Sequence, residues 1–315
     1  MKPELGRSLP KELGRVHCIG IAGSGMSGIA RVLKEKGLEV SGSDRSDSEV
    51  ADSLRDAGIT VFIGHDASHL KGADTVVVSS AVRDNNPELM HARVNGLVVL
   101  HRSEALRWIM QGKKVLAVAG SHGKTTSTAM LASALYRYGR DIGAVNGGVI
   151  SEWGVSSRWG SDEVFVIEAD ESDRSFLGYD PAVVMITNVA PDHLDFYGDM
   201  DSIYEAFEGF ARNATQAIVL CADDEGTTHL ASRLDGAAPV LTYGITPTAD
   251  FRLENIDLGA HARFELAYHE QRATCELAVP GRLNALNAAG VIAVLVASGY
   301  TLVDAAAAVS GFHGA

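Results

Sequence analysis

"AVAGSHGKTTSTAML", residues 117–131, decides how this chain is read. A strand of buried type, "KVLAVAG", runs into it, and a long helical stretch, "GKTTSTAMLASALYRYG", runs out of it. Between them, Gly120, Ser121, His122, Gly123, Lys124, Thr125 and Thr126 form a loop suited to wrapping phosphate. Glycines let the backbone approach an anion, the helix N-terminus faces it, a lysine neutralises terminal phosphates and a hydroxyl suits Mg²⁺. The usual pattern places a glycine at position 118, which here is Val118. Gly120 serves instead, and the loop reads as a shortened GxxGK[ST] form.

A phosphate site that works through a metal needs carboxylates beside the loop. "VFVIEADESD" brings Glu168, Asp170, Glu171 and Asp173 to the end of one buried strand, and "ITNVAPDHLDFYG" brings Asn188, Asp192, His193 and Asp195 to the end of another. Open α/β sheets bind ligands at strand carboxyl ends, so both clusters are expected in one site.

A second glycine loop lies about a hundred residues upstream. Gly23, Ser24, Gly25, Met26, Ser27 and Gly28 spell GxGxxG after the strand "RVHCIGI" and before a helix, the context in which that pattern holds a pyrophosphate on a helix N-terminus. Asp44 closes the next strand, "LEVSGSD", where a carboxylate can meet a ribose hydroxyl. The motif alone does not separate one nucleoside diphosphate from another, and an NAD-dependent oxidoreductase is a rival reading of this loop. That reading leaves the GKT loop and the EADESD cluster unexplained.

Around both loops strands alternate with helices, which argues for parallel sheets. Residues 249–280 instead alternate apolar and polar side chains and read as antiparallel hairpins. The fold class is therefore α/β: a Rossmann-like domain over 1–108, then a phosphate-loop NTPase-like domain over 109–315 with a mainly parallel sheet plus antiparallel hairpins. The 315 residues agree with two domains at ~150 residues each.

Composition narrows the partners. A formal charge of −13 disfavours polynucleotides and anionic membrane surfaces. Three scattered cysteines (Cys18, Cys221, Cys275) make neither a disulfide framework nor a zinc motif, so a reducing cytoplasmic setting is expected. The first fifteen residues carry charge without an apolar core, unlike a secretory signal, and "VIAVLVA" is too short to span a bilayer.

Taken together, "GSHGKTTST", "EADESD", "TNVAPDHLDFYG" and "GRLNALNA" resemble the Mur ligase family in order and spacing, and "HCIGIAGSGMSGIA…VSGSD", "GHDASHL" and "SSAVRDNNPE" extend the resemblance to the first domain. It implies a three-domain, ATP- and Mg²⁺-dependent acid–amino-acid ligase of peptidoglycan precursor synthesis, acting as a monomer or weak homodimer on UDP-N-acetylmuramate and L-alanine, or on a peptide in place of L-alanine. The substrate carboxylate would be phosphorylated to an acyl phosphate that the amine then attacks. Carried onto this sequence, Lys124 would hold the γ-phosphate, Thr125 and Glu168 one Mg²⁺, and His193 a second metal. Gly23, Gly25 and Gly28 would cradle the UDP diphosphate with His65 beside it, Asp44 would lie near the uridine, and Asn284 or Asn287 would touch adenine. The sequence departs from the family pattern at Ala22, commonly Gly, and at Leu283, commonly His. Ending on "VSGFHGA", it is expected to lack the family's C-terminal domain and to be a two-domain fragment of such a ligase; the alternative is a module that binds UDP-sugar and nucleotide without full turnover.

Overall fold

The structure, a computed structural model, describes residues 6–314. The chain divides into two compact units: residues up to Gln111 together with Ser157–Trp159, and the remainder from Gly112 onward.

The first unit runs β1 (Val16–Ile19), α1 (Ser24–Glu35), β2 (Val40–Asp44), α2 (Glu49–Asp56), β3 (Thr60–Ile63), a 3-10 turn over Ala67–Leu70, β4 (Thr75–Val78), α3 (Pro87–Val94), β5 (Val98–His101) and α4 (Arg102–Ile109). Its five strands are all parallel in the order β3-β2-β1-β4-β5. β1 and β4 are buried along their whole length, as strands covered on both faces must be. Strand order reverses between β1 and β4, which opens a crevice at the carboxyl edge where the first glycine loop lies. β3 was not anticipated from the sequence: "TVFI" is an edge strand, partly exposed, and four residues give too short an alternation to read.

The second unit runs β6 (Lys114–Ala119), α5 (Lys124–Arg137), β7 (Gly143–Ile150), β8 (Val155–Arg158), β9 (Val164–Glu168), a 3-10 turn over Ser175–Gly178, β10 (Val183–Ile186), α6 (Leu194–Tyr197), α7 (Met200–Arg212), β11 (Ala217–Cys221), α8 (Glu225–Ala231), β12 (Val240–Gly244), β13 (Phe251–Leu258), β14 (Ala262–Tyr268), β15 (Gln271–Glu276), α9 (Arg282–Ala297) and α10 (Leu302–Val309). The sheet order is β15-β14-β13-β12-β11-β10-β6-β9-β7-β8. The expected antiparallel hairpins are β13–β14 and β14–β15, grafted through β13 onto the parallel part. α9 is buried from Ala288 to Leu295 and packs with α5 and α10 in the main core.

This order sets up the site. β6 has β9 on one side and β10 on the other, both parallel to it. The loop after β6 therefore shares the carboxyl edge with the ends of β9 and β10, which carry the two acidic clusters. The sequence reading missed β7, whose "GAVNGGVI" is glycine-rich and so unlike a strand.

Candidate functional site

In the second unit, Gly120 and Gly123 adopt φ of +132° and +82°, a region L side chains avoid. A Cβ on Gly120 would come 2.1 Å from Thr187 Oγ1, so glycine is required there. The loop is held from β10's end. Thr187 Oγ1 donates to the His122 carbonyl (2.6 Å), Asn188 Nδ2 donates to the same carbonyl (2.8 Å), and the His122 amide donates to Asn188 Oδ1 (2.9 Å). Ser121 Oγ donates to Ala190 O and accepts from Ala190 N, bracing the loop against the segment after β10. His122 itself is exposed. Thr187 was not singled out from the sequence, because a bracing role leaves no spacing signature.

α5 begins directly after the loop with no side-chain cap, and α1 likewise follows its glycine loop uncapped. Six other helices are capped by Ser48, Asn86, His101, Asp199, Asp224 and Thr301. First-turn amides without an internal acceptor favour an anion. α6 and α9 are also uncapped.

Lys124 Nζ donates to Glu171 Oε1 (2.8 Å) and to the carbonyls of Gly120 (2.5 Å) and Ser121 (3.3 Å), lying back over its own loop. Glu171 is 2% exposed, its Oε2 has no partner among the described residues, and burial raises its pKa although Lys124 partly offsets this. Thr125 Oγ1 donates to Glu168 Oε1 (3.0 Å). Glu168 Oε2 accepts from the Gly147 amide (2.6 Å), and a Cβ on Gly147 would meet that carboxylate at 2.8 Å. The glycines that disguised β7 let it approach Glu168. Thr126 is half-buried in the first turn of α5.

His193 occupies the position before α6 in the left-handed region (φ +52°), with its side chain 38% exposed, next to Asp192. Ligand atoms of Glu171, Asp192 and His193 lie within 4.8 Å of one another. Glu168 is outside that set and pairs with Thr125 instead. Of the two asparagines, Asn287 reaches the loop: its Oδ1 would be 3.1 Å from a Cβ on Gly123. Asn284 Nδ2 turns back to Pro280 O (2.8 Å).

In the first unit, Gly23 caps α1 in ordinary extended backbone (φ −63°). Asp44 Oδ2 accepts from the Ala22 amide (2.9 Å), fixing the loop it was expected to accompany. Ser24 is exposed and Ser27 Oγ donates to Ser24 O, but the Met26 side chain is core, 2% exposed, and its amide goes to Gly23 O. Helix periodicity turns the Met26 side chain inward, so at the loop it offers backbone alone. The sequence reading missed Arg102, whose Nη1 would lie 2.8 Å from a Cβ on Gly25 and so brings a cation to the loop. His65 Nδ1 meets Ser43 Oγ and Glu88 Oε2, each at 3.0 Å.

Two family models match: "Mur ligase family, catalytic domain" over residues 15–114 and "Mur ligase middle domain" over residues 118–295. The chain belongs to the Mur ligase family. Among curated relatives of this family, the UDP-N-acetylmuramate–L-alanine ligase of Clavibacter sepedonicus is 49% identical over 99% of this chain and 65% of the relative. That of Thermobifida fusca is 45% identical over 96% of this chain and 65% of the relative. The chain thus spans slightly less than two thirds of those Mur ligases. Among solved structures, UDP-N-acetylmuramate-alanine ligase from Thermotoga maritima gives a TM-score of 0.85 at 33% identity, covering 95% of this chain and 69% of that one. UDP-N-acetylmuramate:L-alanyl-gamma-D-glutamyl-meso-diaminopimelate ligase from Neisseria meningitides also gives 0.85, at 28% identity, covering 96% and 98%.

All three cysteines are free and buried, and burial pushes their thiols up to about 12, 11 and 12, which leaves them unreactive. No helix among the described residues is long and apolar enough to cross a membrane.

Proposed function

We propose that this chain carries the UDP-sugar and ATP sites of a cytoplasmic ligase that joins L-alanine to the carboxylate of UDP-N-acetylmuramate. The observation that carries the reading is the second loop: two positive-φ glycines, an uncapped α5, Lys124 and the Thr125–Glu168 pair converge at one sheet edge. The unpartnered, buried Glu171 Oε2 beside Asp192 and His193 suits a cation, so the residues present fit Mg²⁺ as well as nucleotide. Thr125 and Glu168 are the proposed ligands of one Mg²⁺, and His193, with Glu171 and Asp192 beside it, of a second metal. Mg²⁺ bound with ATP would supply neutralisation of phosphate charge.

The remaining work belongs to the chain. Loop amides and the N-terminus of α5 hold the phosphates, and Lys124 leaves Glu171 to pair with the terminal phosphate. A carboxylate oxygen of the sugar nucleotide attacks the γ-phosphorus and ADP departs. The L-alanine amine then attacks the acyl carbon, an amide forms, and phosphate leaves with loss of the amine proton. Positioning and electrostatics account for such phosphoryl transfer. The first loop anchors the sugar nucleotide through Gly23, Gly25, the amides opening α1, and Arg102.

A peptide as the amine substrate is the second reading, favoured by the structural likeness to the Neisseria enzyme. The higher identity to alanine ligases supports L-alanine. Calorimetry of this chain with UDP-N-acetylmuramate and with Mg-ATP, followed by a phosphate-release assay with L-alanine, tests both. One-to-one binding of each ligand is expected. Absence of UDP-N-acetylmuramate binding, or phosphate release with a peptide and not L-alanine, would overturn the L-alanine reading. Binding without release would restrict this chain to a binding role.

A further inference from the structure

Beneath the first glycine loop lies a buried polar cluster of which the ligase reading uses only His65. Glu88, in the first turn of α3, is fully buried. Its Oε2 accepts from Ser43 Oγ (2.5 Å) and faces His65 Nδ1 (3.0 Å); its Oε1 faces His69 Nδ1 (2.8 Å) and lies 3.6 Å from His17 Nε2. Burial alone would raise the Glu88 pKa, but the nearby His17 ring and the hydrogen bonds with Ser43 and His69 outweigh it and hold the carboxyl down at about 2. Glu88 is therefore an anion at any physiological pH.

That fixes a proton elsewhere. The Ser43 hydroxyl has one hydrogen, and the short contact commits it to Glu88. Both atoms facing His65 Nδ1, the carboxylate and the spent hydroxyl, are then acceptors. His65 Nδ1 must carry hydrogen, which leaves Nε2 as the nitrogen available to a ligand. Ser43 also ties this pair to the loop, since its carbonyl accepts the amides of Gly20 (2.8 Å) and Ile21 (3.0 Å). His65 itself retains 24% side-chain exposure. His69 is stacked on Phe62, with ring centroids 4.2 Å apart, and His17 is wholly buried with Nδ1 on Ser41 Oγ. The charged and titratable groups around the pair are Glu88, His17, His69 and Asp66, the last capping the turn that carries His69. Of the three histidines, His65 is the most exposed.

We infer that Glu88 is a positioning residue for phosphate binding: it holds His65 with Nδ1–H inward, so that Nε2 takes up a proton and donates it to the diphosphate of the nucleotide on the first loop. The inference rests on the reading that this unit binds a nucleoside diphosphate. The proton comes from solvent, and the imidazolium formed is neutralised on one side by Glu88 and on the other by phosphate.

The test is calorimetry of UDP-N-acetylmuramate binding between pH 6 and 8.5, in buffers of different ionisation enthalpy, with UDP as a second probe. The wild type takes up a proton on binding and loses affinity as pH rises. His65→Gln and Glu88→Gln each weaken binding about tenfold, the scale of one charge-assisted hydrogen bond, and abolish the uptake. The double variant is no weaker than His65→Gln. Unchanged uptake in Glu88→Gln, or losses that simply multiply in the double variant, overturns the inference while leaving the nucleotide reading intact. No binding of either probe by the wild type overturns both. If Glu88→Gln does not fold, the ¹⁵N imidazole spectrum of the free wild type decides. Hydrogen on His65 Nδ1 supports the inference, and a neutral ring with hydrogen only on Nε2 overturns it.

Discussion

The two glycine loops follow the same grammar of strand, turn and uncapped helix, yet they are built to different tolerances. The loop before α5 needs its glycines: positive φ at both, and Thr187 packed where a side chain on Gly120 would go. Its charge lies on the loop itself, in Lys124 against Glu171. The loop before α1 has ordinary backbone at Gly23, where a Cβ would lie 3.3 Å from the Gly20 carbonyl oxygen, and at Gly25 a Cβ would meet only the end of a flexible side chain, Arg102. Its charged network is buried one layer down, around Glu88. On the proposed function, the loop that would only anchor a ligand borrows a cation from a neighbouring element, whereas the loop that would take part in phosphoryl transfer carries its own lysine with Thr125 and Glu168 in fixed register.

The sharpest way to break this contrast is Gly120→Ala. Strain at φ +132° and the 2.1 Å approach to Thr187 Oγ1, with Thr187 N at 3.0 Å behind it, leave no cheap relaxation. A loss of about 4 kcal/mol is expected in denaturant unfolding of the second unit, the sum of backbone strain and overpacking. A loss below about 1 kcal/mol would show that the loop is as tolerant as the first.

Glu88 tests the buried network. Its folded pKa, about 2, lies below the ordinary 4.5, so its contribution is present above the unfolded value and is lost as pH falls from about 4.5 to about 2. That difference corresponds to about 3 kcal/mol. Urea unfolding of the wild type at pH 6 and at pH 3 is expected to show a steeper loss than Glu88→Gln, which starts less stable and has no carboxyl to protonate. Parallel slopes would mean that the network does not hold the charge.

How much of this was legible follows the same division. Contiguous signals were readable: both loops, the carboxylate clusters at strand ends and the hairpins of 249–280. What was not readable is assembled from distant segments. His17, His65, His69 and Glu88 come from β1, the segment after β3, the 3-10 turn and α3, and no spacing in the chain announces their meeting. Thr187 braces a loop 65 residues away. β7 was hidden because the glycines that admit Glu168 also erase the strand pattern. Asn284 and Asn287 looked equivalent, and only the helical turn of α9 puts one of them against Gly123.

Lys124→Met probes the chemical loop at smaller structural cost. It strands Glu171, but burial already raises that carboxyl's pKa, so proton uptake relieves part of the penalty. Mg-ATP affinity is expected to fall roughly a hundredfold, about 2.7 kcal/mol, for loss of a charge-assisted phosphate contact. Binding of UDP-N-acetylmuramate by the first unit should stay within about twofold. Equal losses for the two ligands would mean that the two loops do not divide the work.

The smallest effect, and the counterpart to the first, is Gly25→Ala. The added methyl would meet Arg102 Nη1 at 2.8 Å, and a guanidinium on a flexible stem can move aside. Gly25 lies in the first turn of α1, where alanine is the better helix former, so the clash and the propensity gain nearly cancel and stability should change by less than about 1 kcal/mol. Binding should respond more than folding, because the methyl displaces the cation and occupies the approach to the first-turn amides. UDP-N-acetylmuramate affinity is therefore expected to fall several-fold, with the melting transition almost unmoved. If stability falls as far as in Gly120→Ala, the first loop is as tightly fitted as the second, and the distinction between an anchoring loop and a reacting one has to rest on Lys124 and Glu168 alone.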